Sequence, residues 1–200
     1  RHKRLGDEFI CHLDGAKWIW HAKPAESNAS RLRKTFEVKG GVKDAILHVT
    51  CDTGAKLYLN GKHVGTNPDW NRPSKLDLKK HLKPGHNELL AEATNRGGVG
   101  GFIAVLIITG NDGKEQVLQS GPNWEATVPK SEDWKPAVVL AKYGEAPWGA
   151  AFGGRKGGRG GGAPGESLAA DEVNVPDGFK VEKLYNVHKA AQGSWVAMAI

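Results

Sequence analysis

Trp70 stands in the run Thr66-Asn-Pro-Asp-Trp-Asn-Arg-Pro73, with Asp69 and Asn71 on either side and Arg72 next along. An aromatic face among planar polar side chains is the chemistry that holds a sugar. The ring covers the C–H side of the pyranose while carboxylate, amide and guanidinium groups grip its hydroxyls. Two further polar pairs, Asp52-Thr53 and Asn95-Arg96, close runs of alternating apolar residues. Asp52, Asp69 and Glu92 are acids, but glycoside hydrolysis needs two carboxyls facing each other across a cleft, and no spacing in the sequence pairs them. The chain has no HExxH, no paired-cysteine zinc spacing and no GxxxxGK[ST] loop, and Ser120-Gly-Pro and Gly193-Ser194-Trp195 lack the setting of a nucleophile elbow. The chemistry on offer is recognition, with no reaction centre.

Strands must position these groups. In Lys56-Leu-Tyr-Leu-Asn-Gly-Lys-His-Val-Gly65, Leu57 and Leu59 alternate with Lys56 and Tyr58, the two-residue period of a half-buried strand. Asn60-Gly61 supplies the positive-φ pair of a two-residue hairpin turn. Leu47, Val49 and Cys51 alternate with His48, Thr50 and Asp52 in the same way, and Lys83-Pro-Gly-His-Asn87 turns the chain into the strand Glu88–Thr94. Arg31–Val38, Lys75–Leu78, the apolar run Phe102–Thr109, Lys114–Gln119 and Trp124–Val128 continue the pattern, and Trp134–Ala141 adds a last strand. Trp18 and Trp20 flank Ile19 and are read as placing one ring on each face of a short strand, either as a core anchor or as an exposed sugar platform. Gly97–Gly101 makes a flexible corner, and Lys79, Lys80, His81 and Lys83 form a solvated edge. About nine short strands separated by turn signals, with no convincing helix, predict an all-β fold: an antiparallel β-sandwich of jelly-roll type.

A 39% hydrophobic content lets a domain of roughly 130 residues bury a core without a metal or disulfide scaffold. The formal charge of +6 is carried by residues 1–143, where it spreads along strands and loops as on an ordinary surface, so nucleic acid is not an expected partner. No apolar run is long enough to span a membrane. Cys11 and Cys51 are the only cysteines; they are read as two buried thiols or as a pair, which spacing cannot decide. Cys11-His12 looks like the end of a haem c attachment motif, but position 8 is Glu, so no cofactor is expected in this chain.

After residue 143 the composition changes. Eight glycines fall within Gly153–Gly165, broken by Arg155, Lys156 and Arg159, which reads as a tether over residues 144–170. Three charges without an aromatic repeat argue against an arginine-glycine RNA-binding segment. Residues 171–200 regain alternation and read as the start of a second domain.

From about residue 18 to 128 the chain resembles the galactose-binding-like jelly roll that accompanies glycoside hydrolases, as in the N-terminal sandwiches of bacterial α-L-rhamnosidases and of glycoside hydrolase family 2. The residues carrying the resemblance are Trp18-Ile-Trp20, Arg33-Lys-Thr-Phe36, Leu57–Gly65, the Trp70 loop, Asp77-Leu78, Leu82-Lys-Pro-Gly-His-Asn87, Asn95 and Trp124. It implies a non-catalytic module. It also implies that the ends of strands at Asp52 and at Asn95-Arg96 approach the same rim as the Trp70 loop, so that Trp70, Asp69, Asn71, Asn95, Arg96 and Asp52 line a shallow saccharide site. In the same family a loop aromatic also packs under its own loop, which is the competing reading of Trp70. Such sandwiches often hold one structural calcium, which is left open here.

The tail is similar to something else. Val175-Pro-Asp-Gly-Phe-Lys-Val-Glu182 and Gln192-Gly-Ser-Trp195 resemble the opening of the β-propeller in planctomycete-type membrane-bound dehydrogenases, many of which carry a haem c domain, and Tyr143–Gly149 is similar to their inter-domain boundary. The resemblances together imply a secreted or periplasmic multidomain protein, its parent a glycoside hydrolase or a dehydrogenase. Residues 1–143 are then a carbohydrate-binding accessory sandwich whose partners are a saccharide and the protein's own C-terminal domain. The alternative is a structural interaction or spacer domain of a haem-bearing oxidoreductase assembly that binds no sugar.

Overall fold

The computed structural model describes residues 12–22 and 28–152. All of these lie in the first of two units into which the chain divides, Arg1–Gly154; the remainder of the predicted tether, the second domain, its propeller-like motifs and Cys11 lie outside the described residues.

The described residues form twelve strands and one 3-10 turn. In order they are β1 (Lys17–Trp20), β2 (Ala29–Val38), β3 (Val42–Asp52), β4 (Gly54–Leu59), β5 (Lys62–Asn67), β6 (Ser74–Asp77), β7 (Gly85–Thr94), β8 (Gly101–Gly110), β9 (Glu115–Gln119), β10 (Glu125–Thr127), β11 (Lys135–Pro136) and β12 (Val138–Lys142). They pair antiparallel in two sheets, β12-β1-β8-β3-β6 with β9 also on β8, and β11-β10-β2-β7-β4-β5. The predicted β-sandwich is thus the fold. Among the described residues no helix is long and apolar enough to cross a membrane.

The alternation read in the sequence is what separates core from surface. Ala45, Leu47, Val49 and Cys51 of β3 face Leu57 and Leu59 of β4, Leu32 and Phe36 of β2, and Leu89 and Ala91 of β7 in one buried cluster. Each fully buried Leu there contributes about 2 kcal/mol through the surface it removes from water. The hairpin between β4 and β5 turns on Asn60 and Gly61, at φ 52° and 77°. Such a pair matches the right-handed twist of the strands it joins. Asn60 also accepts the Glu88 N–H at 3.1 Å and donates to Asn87 Oδ1 at 2.9 Å, which locks the hairpin to β7.

Two features depart from the simple pattern. Residues two apart share a strand face, so a regular β1 would send Trp18 and Trp20 the same way. A register shift between Trp18 and Ile19 separates them: Trp20 enters the main core, while Trp18 enters a second cluster, on the outer side of the first sheet, with Leu13, Ile103, Val105 and Trp148. Both rings are buried, which corrects the sugar-platform alternative for this strand. The expected strand Trp134–Ala141 is two: β11 pairs with β10, and β12 pairs with β1 in the other sheet. Pro136 has no N–H to extend a ladder. The chain crosses between sheets at buried Ala137, whose N–H donates to Trp124 O at 2.8 Å.

Residues 144–152, which composition assigns to the tether, lie on this second cluster. Trp148 stacks on Trp18 with centroids 4.4 Å apart, and Tyr143, Ala151 and Phe152 pack alongside.

Candidate functional site

Antiparallel pairing brings three connections to one end of the sandwich. Asp52 lies opposite Gly101, Gly54 opposite Thr94, and Ala55 opposite Asn67, so the β3–β4, β7–β8 and β5–β6 connections meet at a rim. They are tied together by backbone. Thr53 N–H donates to Thr94 O at 2.6 Å, Arg96 N–H donates to Thr53 Oγ1 at 2.9 Å, and a Cβ on Gly54 would stand 3.0 Å from Asn67 O. The last distance is tighter than most real Cβ contacts, so glycine lets the two connections close on each other.

The Trp70 loop is held from beneath. Asn67, wholly buried, accepts the Cys51 N–H at 2.9 Å and donates to Arg72 O at 2.9 Å and Ser74 Oγ at 3.2 Å. Thr50 Oγ1 reaches the carbonyls of Asp69 and Trp70 at 3.1 and 2.8 Å. Asp69 Oδ1 accepts the Asn71 N–H at 3.3 Å, an Asx turn. The Trp70 ring is half-buried against the second cluster, so part of its surface is already covered.

The six expected site residues therefore divide. Arg96 and Asn71 are exposed, and their side chains make no hydrogen bond or ion pair with described residues. Asp69 keeps one oxygen without a hydrogen-bond partner among the described residues, and part of the Trp70 ring is exposed. Asn95 and Asp52 are engaged internally. Asn95 is buried; its amide donates to Gly98 O at 2.9 Å and accepts the Gly97 N–H at 3.0 Å, so it shapes the corner before β8. Asp52 Oδ2 accepts the indole N–H of Trp148 at 3.0 Å. These two groups support the rim from inside it, through hydrogen bonds that spacing does not reveal.

Beside the rim, on the outer face of the second sheet, lies a groove of about 400 Å³ lined by Thr53, Lys56, Thr66, Glu92, Thr94 and Arg96. Lys56 and Glu92 are ladder partners on adjacent strands. Glu92 Oε2 accepts the Tyr58 hydroxyl at 3.1 Å, and the Tyr58 phenol is held above its ordinary range by desolvation, then by the Glu92 hydrogen bond and charge. Lys56 and Arg96 have no ion-pair partner among the described residues. Lys56 and Thr66 could not be singled out from their neighbours, because outward polar positions of a strand look the same whether or not a groove runs over them.

Chemically the groove offers hydroxyls, two cations and one carboxylate. Among the described residues Glu92 is the only acid lining it, so they do not assemble the paired-carboxyl geometry of glycoside hydrolysis there. Calcium takes roughly six to eight oxygen ligands. The described residues gather no group of three or more His, Cys, Asp or Glu, and the rim carboxylates of Asp52 and Asp69 already accept the hydrogen bonds given above.

No family model matches the chain. The α-L-rhamnosidase of Streptomyces avermitilis is 29% identical over 160 residues, spanning 68% of this chain and 15% of that protein. Its crystal structure complexed with L-rhamnose superposes with a TM-score of 0.61 at 28% identity, covering 68% of this chain and 16% of that one. The Pleurotus ostreatus lectin, also solved in complex with GalNAc, superposes with a TM-score of 0.61 at 27% identity, covering 70% of this chain and 45% of the lectin. A GH78 rhamnosidase from Bacillus sp. GL1 shares the fold, at 22% identity and a TM-score of 0.56. The chain thus spans about 15% of the length of the curated relative it matches. What it has in common with these proteins is one domain, a galactose-binding-like β-sandwich similar in sequence and fold to a segment of an α-L-rhamnosidase and to part of a lectin.

Proposed function

We propose that this sandwich is a carbohydrate-binding accessory module of a larger extracytoplasmic protein. It takes a saccharide at the rim formed by Thr53, the Trp70 loop and Arg96, along the groove that opens beside them. The observation that carries the reading is the likeness, at 27–28% identity over about two thirds of this chain, to a lectin solved with GalNAc and to a rhamnosidase solved with L-rhamnose. The rim adds physical support. Its backbone is fixed by buried Asn67 and Thr50, while Asn71 and Arg96 present exposed planar polar groups with no partner among the described residues, so little backbone freedom is lost on binding. Probing a glycan array with the full chain tests it. Retention on defined saccharides, lost when Asn71 and Arg96 are both changed to Ala, is the expected result; retention on none would end the proposal.

One observation favours a second reading. Trp70 lies partly against the cluster around Trp18 and Trp148, as a loop aromatic does when its role is packing. On that reading the module is a spacer or interaction domain of an oxidoreductase assembly, and the array stays blank.

A further inference from the structure

We infer that the groove beside the rim selects an acidic saccharide, one whose ring carries a carboxylate, over its neutral counterpart. This rests on the rim being a saccharide site, as proposed above.

The argument is one of unmatched charge. The groove holds Lys56, Arg96 and Glu92, and no ion pair within the described residues neutralises either cation. Glu92 is tethered by the Tyr58 hydroxyl at 3.1 Å. Tyr58 lies two positions beyond Lys56 along β4, away from the Thr53 end, so this carboxylate is drawn toward the sheet interior. Arg96 lies at the opposite end, its backbone fixed by the 2.9 Å bond to Thr53 Oγ1 and its guanidinium without a partner among the described residues. Lys56 stands beside its ladder partner Glu92, so the cation with no carboxylate opposite it is Arg96, at the rim. Thr53, Thr66 and Thr94 also line the groove. A planar guanidinium matches a carboxylate in a two-pronged hydrogen-bonded pair, which a neutral hydroxymethyl group cannot form. The sugar hydroxyls are left for the threonines and for Glu92, an acceptor with a second oxygen to offer. Thr53 Oγ1 accepts from Arg96 N–H, so its own proton is free to be donated to the ligand.

The experiment is calorimetric titration of the full chain with an oligogalacturonate and with a neutral oligogalactoside of equal length, at low and high salt, for the wild type and for Arg96→Gln and Lys56→Gln. Both side chains are exposed, and unchanged thermal melting of the variants confirms that they fold. The acidic oligosaccharide is expected to bind about tenfold more tightly, the scale of a charge-assisted hydrogen bond. That advantage should shrink with salt and vanish in Arg96→Gln, whose loss of affinity for the acidic ligand should exceed its loss for the neutral one by about tenfold. Equal affinity for the two ligands, or an advantage indifferent to Arg96, overturns the inference and leaves the saccharide reading standing. Binding of neither overturns both.

Discussion

The indole N–H of Trp148 donates to Asp52 Oδ2 at 3.0 Å while the same ring stacks on Trp18, so a residue beyond β12 is joined to the end of β3. A Cβ added to Gly101 would come 2.5 Å from that ring, which shows how closely the segment is seated. Trp148→Ala should cost about 3–5 kcal/mol, as removal of a buried aromatic does. Asp52→Ala should cost about 1–3 kcal/mol, since it leaves a buried indole N–H without its acceptor. Urea unfolding of each variant measures both; a Trp148→Ala protein as stable as the wild type would show that the segment does not hold to the sandwich.

Asn67 joins β3, β5 and the Trp70 loop through three side-chain hydrogen bonds. Asn67→Ala orphans the buried Cys51 N–H and frees the loop, at a cost of about 2–3 kcal/mol. Amide exchange reports it directly: the Cys51 N–H should lose protection by far more than amides in β2 or β10, and equal loss throughout the domain would contradict a local anchoring role.

His48 couples stability to acid. Burial and then the positive charge of Lys75 lower its pKa from 6.5 to about 4. The folded chain therefore keeps His48 neutral where the unfolded chain takes up a proton. Stability is full above the unfolded value near 6.5 and falls as pH drops toward about 4. His48→Gln should flatten the stability–pH profile across that window. A profile unchanged by the substitution would assign the acid sensitivity elsewhere.

Cys51 is a free thiol with no exposed surface, and burial pushes its pKa far above the usual thiol range. In a Cys11→Ser background it should resist a thiol reagent in the native state and react stoichiometrically once unfolded. Prompt labelling of the folded protein would show that β3 opens readily.

The sheets were readable because their information is local. Leu47, Val49 and Cys51 alternate with polar neighbours, and Asn60-Gly61 supplies a turn that few other pairs can make. Features set by contacts across the sequence were not. Trp148 follows a Gly- and Pro-containing stretch with no periodicity, so nothing near it reveals the cavity it fills beside Trp18. The displacement within β1 that sends Trp18 and Trp20 to different clusters comes from pairing with β12, more than a hundred residues away. For the candidate site, the strand ends at Asp52-Thr53 and Asn95-Arg96 do meet, but alternation could not tell outward groups from those bound inward. Asn95 and Asp52 differ from Arg96 by their hydrogen-bond partners, Gly98 and Trp148, and those are facts of tertiary structure.

The most direct test of saccharide recognition at the rim is a map of amide and side-chain shifts in the ¹⁵N-labelled full chain as galactosides, rhamnose and galacturonate are added. Concentration-dependent shifts centred on Thr53, Lys56, Asn71 and Arg96 are the result expected. Shifts confined to the opposite end of the sandwich, around Glu37 and Gln116, or none with any of the three, would contradict the account.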